Sequence, residues 1–157
     1  MPPSFLFDIS KIDIDAVLLD QEAIRQHNPQ RGDMEHLSGV AWVDEVAGLA
    51  VGYKDVRANE FWVPGHIPGR PLLPGVIMLE AAAQLASLYT KKYLKLEGFL
   101  GFGGVENCKF RLPVLPGCRL HLLARLDWHR HRRVCSSVQG MVQGNLIFET
   151  QIIGTEM

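Results

Sequence analysis

Between Val76 and Ala86 the chain reads VIMLEAAAQLA, nine apolar residues interrupted only by Glu80 and Gln84. Proline suits a first helical turn, so Pro74–Gly75 predicts the start of a helix that runs to about Tyr93. Val76, Ile77, Met78, Leu79, Ala81, Ala82, Ala83, Leu85 and Ala86 leave this helix no polar face, and a helix apolar all round belongs inside a protein. A membrane span is excluded, because the mainly apolar stretch Val76 to Tyr89 is too short and holds Glu80 and Gln84. The rest of the chain must therefore wrap this helix.

The flanking patterns show how. Leu37 to Val56 is rich in Val, Trp, Ala and Tyr and breaks near Glu45–Gly48, which predicts two antiparallel strands. Residues 61–75, FWVPGHIPGRPLLPG, hold four prolines and three glycines and predict an irregular loop. Beyond the glycine-rich stretch Gly98–Gly104 the chain alternates like strands. Leu120, Leu122, Ala124, Leu126 and Trp128 share one face, opposite His121, Arg125 and Asp127. Gly144–Asn145 predicts a two-residue hairpin turn. Upstream, residues 13–27 read as an amphipathic helix carrying Val17, Leu18 and Ile24, with Asp13 or Asp15 as N-cap and Pro29 and Gly32 past its end. The fold class is α+β, one antiparallel sheet wrapped around a helix, in a single domain over 1–157.

A chain of 157 residues can bury a core without disulfides or a metal. Cys108, Cys118 and Cys135 are isolated and read as small buried hydrophobes. Sixteen Lys and Arg against seventeen Asp and Glu argue against a nucleic-acid partner. The segment MPPSFLFDISKID has neither the basic start nor the apolar run of a signal peptide, so a cytoplasmic location is expected.

Glu80 carries the most chemical information. A carboxyl on an apolar helix is expected to be largely buried, and burial favours its protonated form, ready to donate a proton. Gln84, one turn on, faces the same way as a hydrogen-bond partner. The plain alternative is a structural glutamate paired with an arginine. His66 lies in the Pro/Gly loop beside Gly65 and Pro68, a constrained setting that suits a general base, although many loop histidines do nothing. The loop runs into the helix start, where backbone N–H groups near Gly75 and Val76 could hold a carbonyl oxygen as charge develops on it. Base, acid and oxyanion donors fit proton removal alpha to a thioester carbonyl with loss of a beta-hydroxyl as water.

The segment Phe61 to Gln84, FWVPGHIPGRPLLPGVIMLEAAAQ, resembles the signature of bacterial 3-hydroxyacyl-(acyl-carrier-protein) dehydratases of the single-function, Z-type kind, including the fourteen-residue step from His66 to Glu80. Residues 105–120, VENCKFRLPVLPGCRL, resemble the family's second recurring segment, and the likeness runs from about Leu37 to the C-terminus. The resemblance implies a hotdog fold, no cofactor and no metal. It implies a homodimer, often assembled further into a hexamer, with active-site tunnels at the subunit interface and an acyl carrier protein as the substrate-bearing partner. It gives His66 the base role, Glu80 the acid role and Gly75 the backbone contact to the thioester carbonyl. Ile67 stands where the family has phenylalanine and so alters the tunnel wall. His27 to Arg31 match the family's His-Arg-Tyr-Pro segment only loosely, without the tyrosine, and residues 1–36 form an extension of weak likeness.

His129-Arg130-His131-Arg132-Arg133 is the one dense basic run. It reads either as a solvated hairpin tip or, with Arg130, Arg132 and Arg133, as a docking patch for an acidic carrier. Lys109 and Arg111 are further docking candidates, nearer the tunnel mouth. His129 and His131 lack the carboxylate or third histidine of a metal site, and Gly101, Gly103 and Gly104 lack the Lys-Ser/Thr of a phosphate loop. The competing functions are a hotdog acyl thioesterase and a non-catalytic acyl-binding module.

Overall fold

The computed structural model describes residues 4–157. The predicted central helix is present as α2, Gly75–Tyr93, with Pro74 as its N-cap. Six strands surround it: β1 (Gly39–Asp44), β2 (Leu49–Asp55), β3 (Leu100–Phe110), β4 (Arg119–Arg130), β5 (Arg133–Val142) and β6 (Asn145–Glu156). They form one antiparallel sheet in the order β1-β2-β4-β5-β6-β3, so β1 and β3 are its edges.

Met78, Ala81, Ala82, Leu85, Leu88 and Tyr89 of α2 pack against the inner face, built from residues such as Ala50, Leu122, Ala124, Val138 and Phe148. Small alanines let the helix approach the sheet closely, and glycine is needed where it comes nearest. A Cβ at Gly52 would lie 3.1 Å from Leu85 Cδ1. The first helical turn is less enclosed than its apolar sequence predicts: Val76 is exposed and Ile77 and Leu79 are half-buried.

The β1–β2 turn forms where predicted. Asp44 Oδ1 accepts from the N–H groups of Val46 and Ala47, each at 3.0 Å. The β5–β6 turn is one residue earlier than expected, because Val142 pairs with Asn145 and the turn falls on Gln143–Gly144. Both residues have positive φ, 49° and 79°, as a primed hairpin turn requires.

Four further expectations are corrected. The helix predicted over 13–27 shrinks to α1, Gln21–Arg25, capped by Asp20, whose side chain accepts from Ala23 N. Ahead of it the chain is an irregular strap with turns, tied to the sheet by one bridge: Leu18 N and Leu19 N both donate to Val40 O, at 2.9 and 3.0 Å. Phe5, Phe7, Ile9, Ile12, Ile14 and Ala16 pack on Ala41, Val51, Tyr53 and Leu123, so the apolar residues of this strap cover the outer face of the sheet rather than forming a helix stripe. Most of the glycine-rich stretch belongs to β3, where Gly103 leaves room for the Thr155 side chain of the neighbouring strand. Trp128 leaves the face of Leu120 to Leu126, because a bulge between Leu126 and Trp128 shifts the register by one residue and so reverses the alternation. The three cysteines are free, but only Cys135 is buried, with Cys108 and Cys118 half-buried.

Candidate active site

Residues 64–70 form an exposed loop, and the buried side chains of Trp62 and Leu73 fasten its two ends. His66 N donates to Trp62 O at 2.8 Å, Leu72 N donates to His66 O at 2.8 Å, and Leu73 N donates to Val114 O at 2.8 Å. The imidazole is oriented as well. His66 Nδ1 lies 2.8 Å from Leu72 O. A carbonyl oxygen only accepts, so Nδ1 carries the proton and Nε2 presents a lone pair, the arrangement a general base requires. Ile67 is exposed beside it.

The loop delivers the chain to α2, whose N-terminus no side chain caps and whose first turn holds no acidic residue. Ile77 N and Met78 N both donate to Pro74 O, so the N–H groups of Gly75 and Val76 are the leading donors of the helix. The Phe110 ring lies over this end, and a Cβ at Gly75 would stand 2.9 Å from it. Only glycine lets ring, helix start and an incoming carbonyl come so close together.

Glu80 is half-buried, not largely buried as the sequence predicts, because α2 turns this flank toward a groove instead of the core. The groove, about 190 Å³, is bounded by Gln30, Ser87 and Thr90 on one side and by Phe99, Phe102 and Ser136 on the other. From Glu80 to Thr90 it follows the helix for about 15 Å at the standard rise. Gln84 is the predicted partner: its Nε2 donates to Glu80 Oε1 at 2.9 Å and to Met34 O at 2.7 Å. Its Oε1 accepts from His36 N and Leu37 N, at 2.8 and 3.0 Å. Two N–H groups facing one end of the amide leave a single orientation, so the end that meets Glu80 is a donor.

Within one chain no hydrogen bond joins His66 to Glu80 among the described residues. One points outward from the loop and the other lines the groove. Many of the exposed apolar side chains lie on these elements: Ile67 and Val76 on the loop and helix start, Phe99 just before edge strand β3, Phe102, Val105 and Phe110 within it, and Leu112 and Leu115 after it.

The basic candidates do not form one patch. His131 and Arg132 make the β4–β5 tip, and Arg130 and Arg133 flank Trp128, with guanidinium carbons 5.5 and 5.8 Å from the ring centroid. The tip adjoins the start of β3, since Arg133 pairs with Thr155 and Thr155 with Gly101. Lys109 and Arg111 lie at the other end of β3, beside Phe110 and the helix start, and Arg111 is already engaged by Glu149 at 2.6 Å. No group of three or more potential metal ligands occurs among the described residues, and no described helix is long and apolar enough to cross a membrane.

Sequence reading missed a buried polar cluster behind the site. Lys54 Nζ, 2% exposed as a residue, donates to Glu60 Oε1 at 2.7 Å and to His36 Nδ1 at 3.1 Å. Burial first, and then the Lys54 charge, push the His36 imidazole down to about 4, against the opposing pull of Glu60 and Asp33. Burial raises Glu60, but the Lys54 hydrogen bond, the Arg57 N–H and the Lys54 charge outweigh it and leave the carboxyl below its usual range. The signal was present in the alternation of β2, where Ala50 and Gly52 point inward and Lys54 is next in line.

An antiparallel sheet around one long helix defines the hotdog class, and a groove runs beside that helix. The chain belongs to the FabA-like dehydratase family: the family's domain matches residues 28–152. It is 36% identical over 131 residues to the 3-hydroxyacyl-(acyl-carrier-protein) dehydratase FabZ of Erythrobacter litoralis, covering 76% of this chain and 87% of that one. It is 33% identical over 138 residues to the FabZ of Bacillus velezensis, covering 86% and 96%. Among solved structures, the dehydratase heterocomplex ApeI:P from Xenorhabdus doucetiae superimposes with a TM-score of 0.71 at 14% identity, over 85% of this chain and 90% of that one. That likeness is one of fold.

Proposed function

We propose that the chain dehydrates 3-hydroxyacyl thioesters of acyl carrier protein to trans-2-enoyl thioesters in fatty-acid synthesis, with His66 as base and Glu80 as acid. The observation that carries this reading is the orientation of His66: the bond from Nδ1 to Leu72 O leaves Nε2 free to accept a proton, on a loop that leads directly to an uncapped helix N-terminus. The thioester carbonyl accepts from the N–H groups of Gly75 and Val76, where the helix end favours developing negative charge. His66 Nε2 removes the alpha proton. Glu80, with Oε1 occupied by Gln84, gives its proton from the other oxygen to the departing beta-hydroxyl, which leaves as water. The acyl tail occupies the groove along α2.

No hydrogen bond or ion pair joins His66 to Glu80 of one chain among the described residues, and the apolar side chains along β3 are exposed in a single subunit. Both features support a dimer in which His66 of one subunit works with Glu80 of the other, and a trimer of such dimers is a further assembly of the same kind. The exposed arginines Arg130, Arg132 and Arg133 offer a steering surface for an acidic carrier, with Lys109 as an outlying contact.

The test is incubation of the purified protein with 3-hydroxyacyl thioesters of graded chain length. Enoyl absorbance appearing without free thiol is the predicted result. Thiol release would identify a thioesterase, and binding without turnover would identify an acyl-binding module.

A further inference from the structure

The two proposed catalytic side chains are held by different parts of the chain, and the buried Lys54 joins those parts. On one side, Glu60 receives the Lys54 ammonium, its carbonyl accepts from Val63 N at 3.1 Å, and Trp62 O accepts from His66 N at 2.8 Å. The base loop thus springs from the residues that Glu60 anchors. On the other side, His36 takes the Lys54 ammonium on Nδ1, while its backbone N–H holds Gln84 Oε1 and Gln84 Nε2 holds Glu80. An ammonium only donates, so Nδ1 of His36 is the acceptor and the ring is neutral with its proton on Nε2. Every link is a direct hydrogen bond except the short backbone steps inside residues 60–66 and within His36. Lys54, His36 and Gln84 are all at most 3% exposed, so the middle of this chain of bonds is shielded from water, while Glu60 and Glu80 at its two ends are half-buried.

We propose that Lys54 is a positioning residue for the reaction, a buried hub that sets the His66 loop through Glu60 and the Glu80 carboxyl through His36 and Gln84. This rests on the functional reading above but assigns no atom of Lys54 to the substrate. In a dimer with shared sites, the loop and the carboxylate of one subunit serve different sites, so each hub holds one half of both.

The test is the double variant Lys54→Met/Glu60→Met beside Lys54→Met alone. The single variant leaves the half-buried Glu60 carboxylate without its ammonium partner and is expected to be the less stable, while the double variant removes both charges and regains stability. A purely structural role predicts that activity returns with stability. The hub predicts that it does not: kcat in the double variant stays roughly 10- to 100-fold down, with KM within about twofold, as for catalytic groups shifted by a fraction of an ångström. Leu123→Ala, buried on the opposite face of the sheet under the N-terminal strap, serves as the control, with lowered Tm and unchanged kcat. A second readout is independent of turnover. Amide hydrogen exchange across residues 61–72 should quicken in the double variant and not in the control. Wild-type kcat and wild-type exchange in the double variant would overturn the proposal. Should the double variant give no folded protein, Glu60→Gln, which preserves shape and one acceptor oxygen, is judged on the same two readouts. Were the wild-type protein inert toward 3-hydroxyacyl thioesters, the functional reading would fall and the exchange data would still decide the hub.

Discussion

His36 gives the protein an acid-sensitive core. Its side chain is 1% exposed and its imidazole, ordinarily near 6.5, is pushed to about 4 by burial and by the neighbouring Lys54 ammonium. Above pH 6.5 the ring is neutral in folded and unfolded chains alike and pH changes nothing. Between 6.5 and 4 the unfolded chain binds a proton that the folded chain refuses, so stability falls as pH falls. Below about 4 both states bind it and the loss levels off. Two and a half units at about 1.4 kcal/mol each give a loss of roughly 3 kcal/mol, complete near pH 4. Replacing His36 by Gln keeps a neutral acceptor for Lys54 and removes the titration. Urea unfolding of both proteins from pH 7.5 to 4, at one fixed protomer concentration, isolates the effect, because the other acid-sensitive carboxyls, Asp15 held below its usual range by a hydrogen bond with His121 and Glu35 by one from Arg25, are common to both. The wild-type curve should fall about 3 kcal/mol further than the variant's. Parallel curves would show that His36 takes up its proton in the folded state as easily as in water.

Gln84→Leu strips the buried N–H groups of His36 and Leu37 of their partner, and at about 1–3 kcal/mol for each it should cost at least about 2 kcal/mol in urea unfolding; a loss under about 1 kcal/mol would mean that water replaces the amide. Replacing Arg130, Arg132 and Arg133 by Ala should lower kcat/KM for carrier-linked substrate, most at low salt, and spare small thioester mimics. Equal losses with both substrates would assign the hairpin tip a structural role.

The helix 75–93 and the loop before it were legible because their residues allow one environment each: an apolar surface on every side demands enclosure, and four prolines exclude regular structure. His66, Gly75, Glu80 and Gln84 follow from that frame together with the family likeness. Residues 13–19 misled because apolar residues at mixed spacings fit a helix stripe as well as a strap, and only the outer-face cluster on Leu123 and Tyr53 decides between them. The Trp128 side was hidden by a bulge, which adds one residue without leaving a mark in composition. The partial exposure of Glu80 follows from the groove, a gap between elements distant in sequence. Lys54 was legible in the β2 alternation but its partners were not, since His36 and Glu60 lie in irregular segments on either side of that strand.

The central claim, dehydration at a site built from His66 of one subunit and Glu80 of its partner, is tested most directly by co-expressing His66→Ala with Glu80→Gln. Each variant alone should be inactive toward 3-hydroxyacyl thioesters. A hybrid dimer gathers both lesions into one site and leaves the other with an intact histidine and an intact glutamate. Random pairing makes about half the dimers hybrids, so dehydration should return to about a quarter of the wild-type rate. Demonstrated hybrids that regain no activity would contradict the shared site.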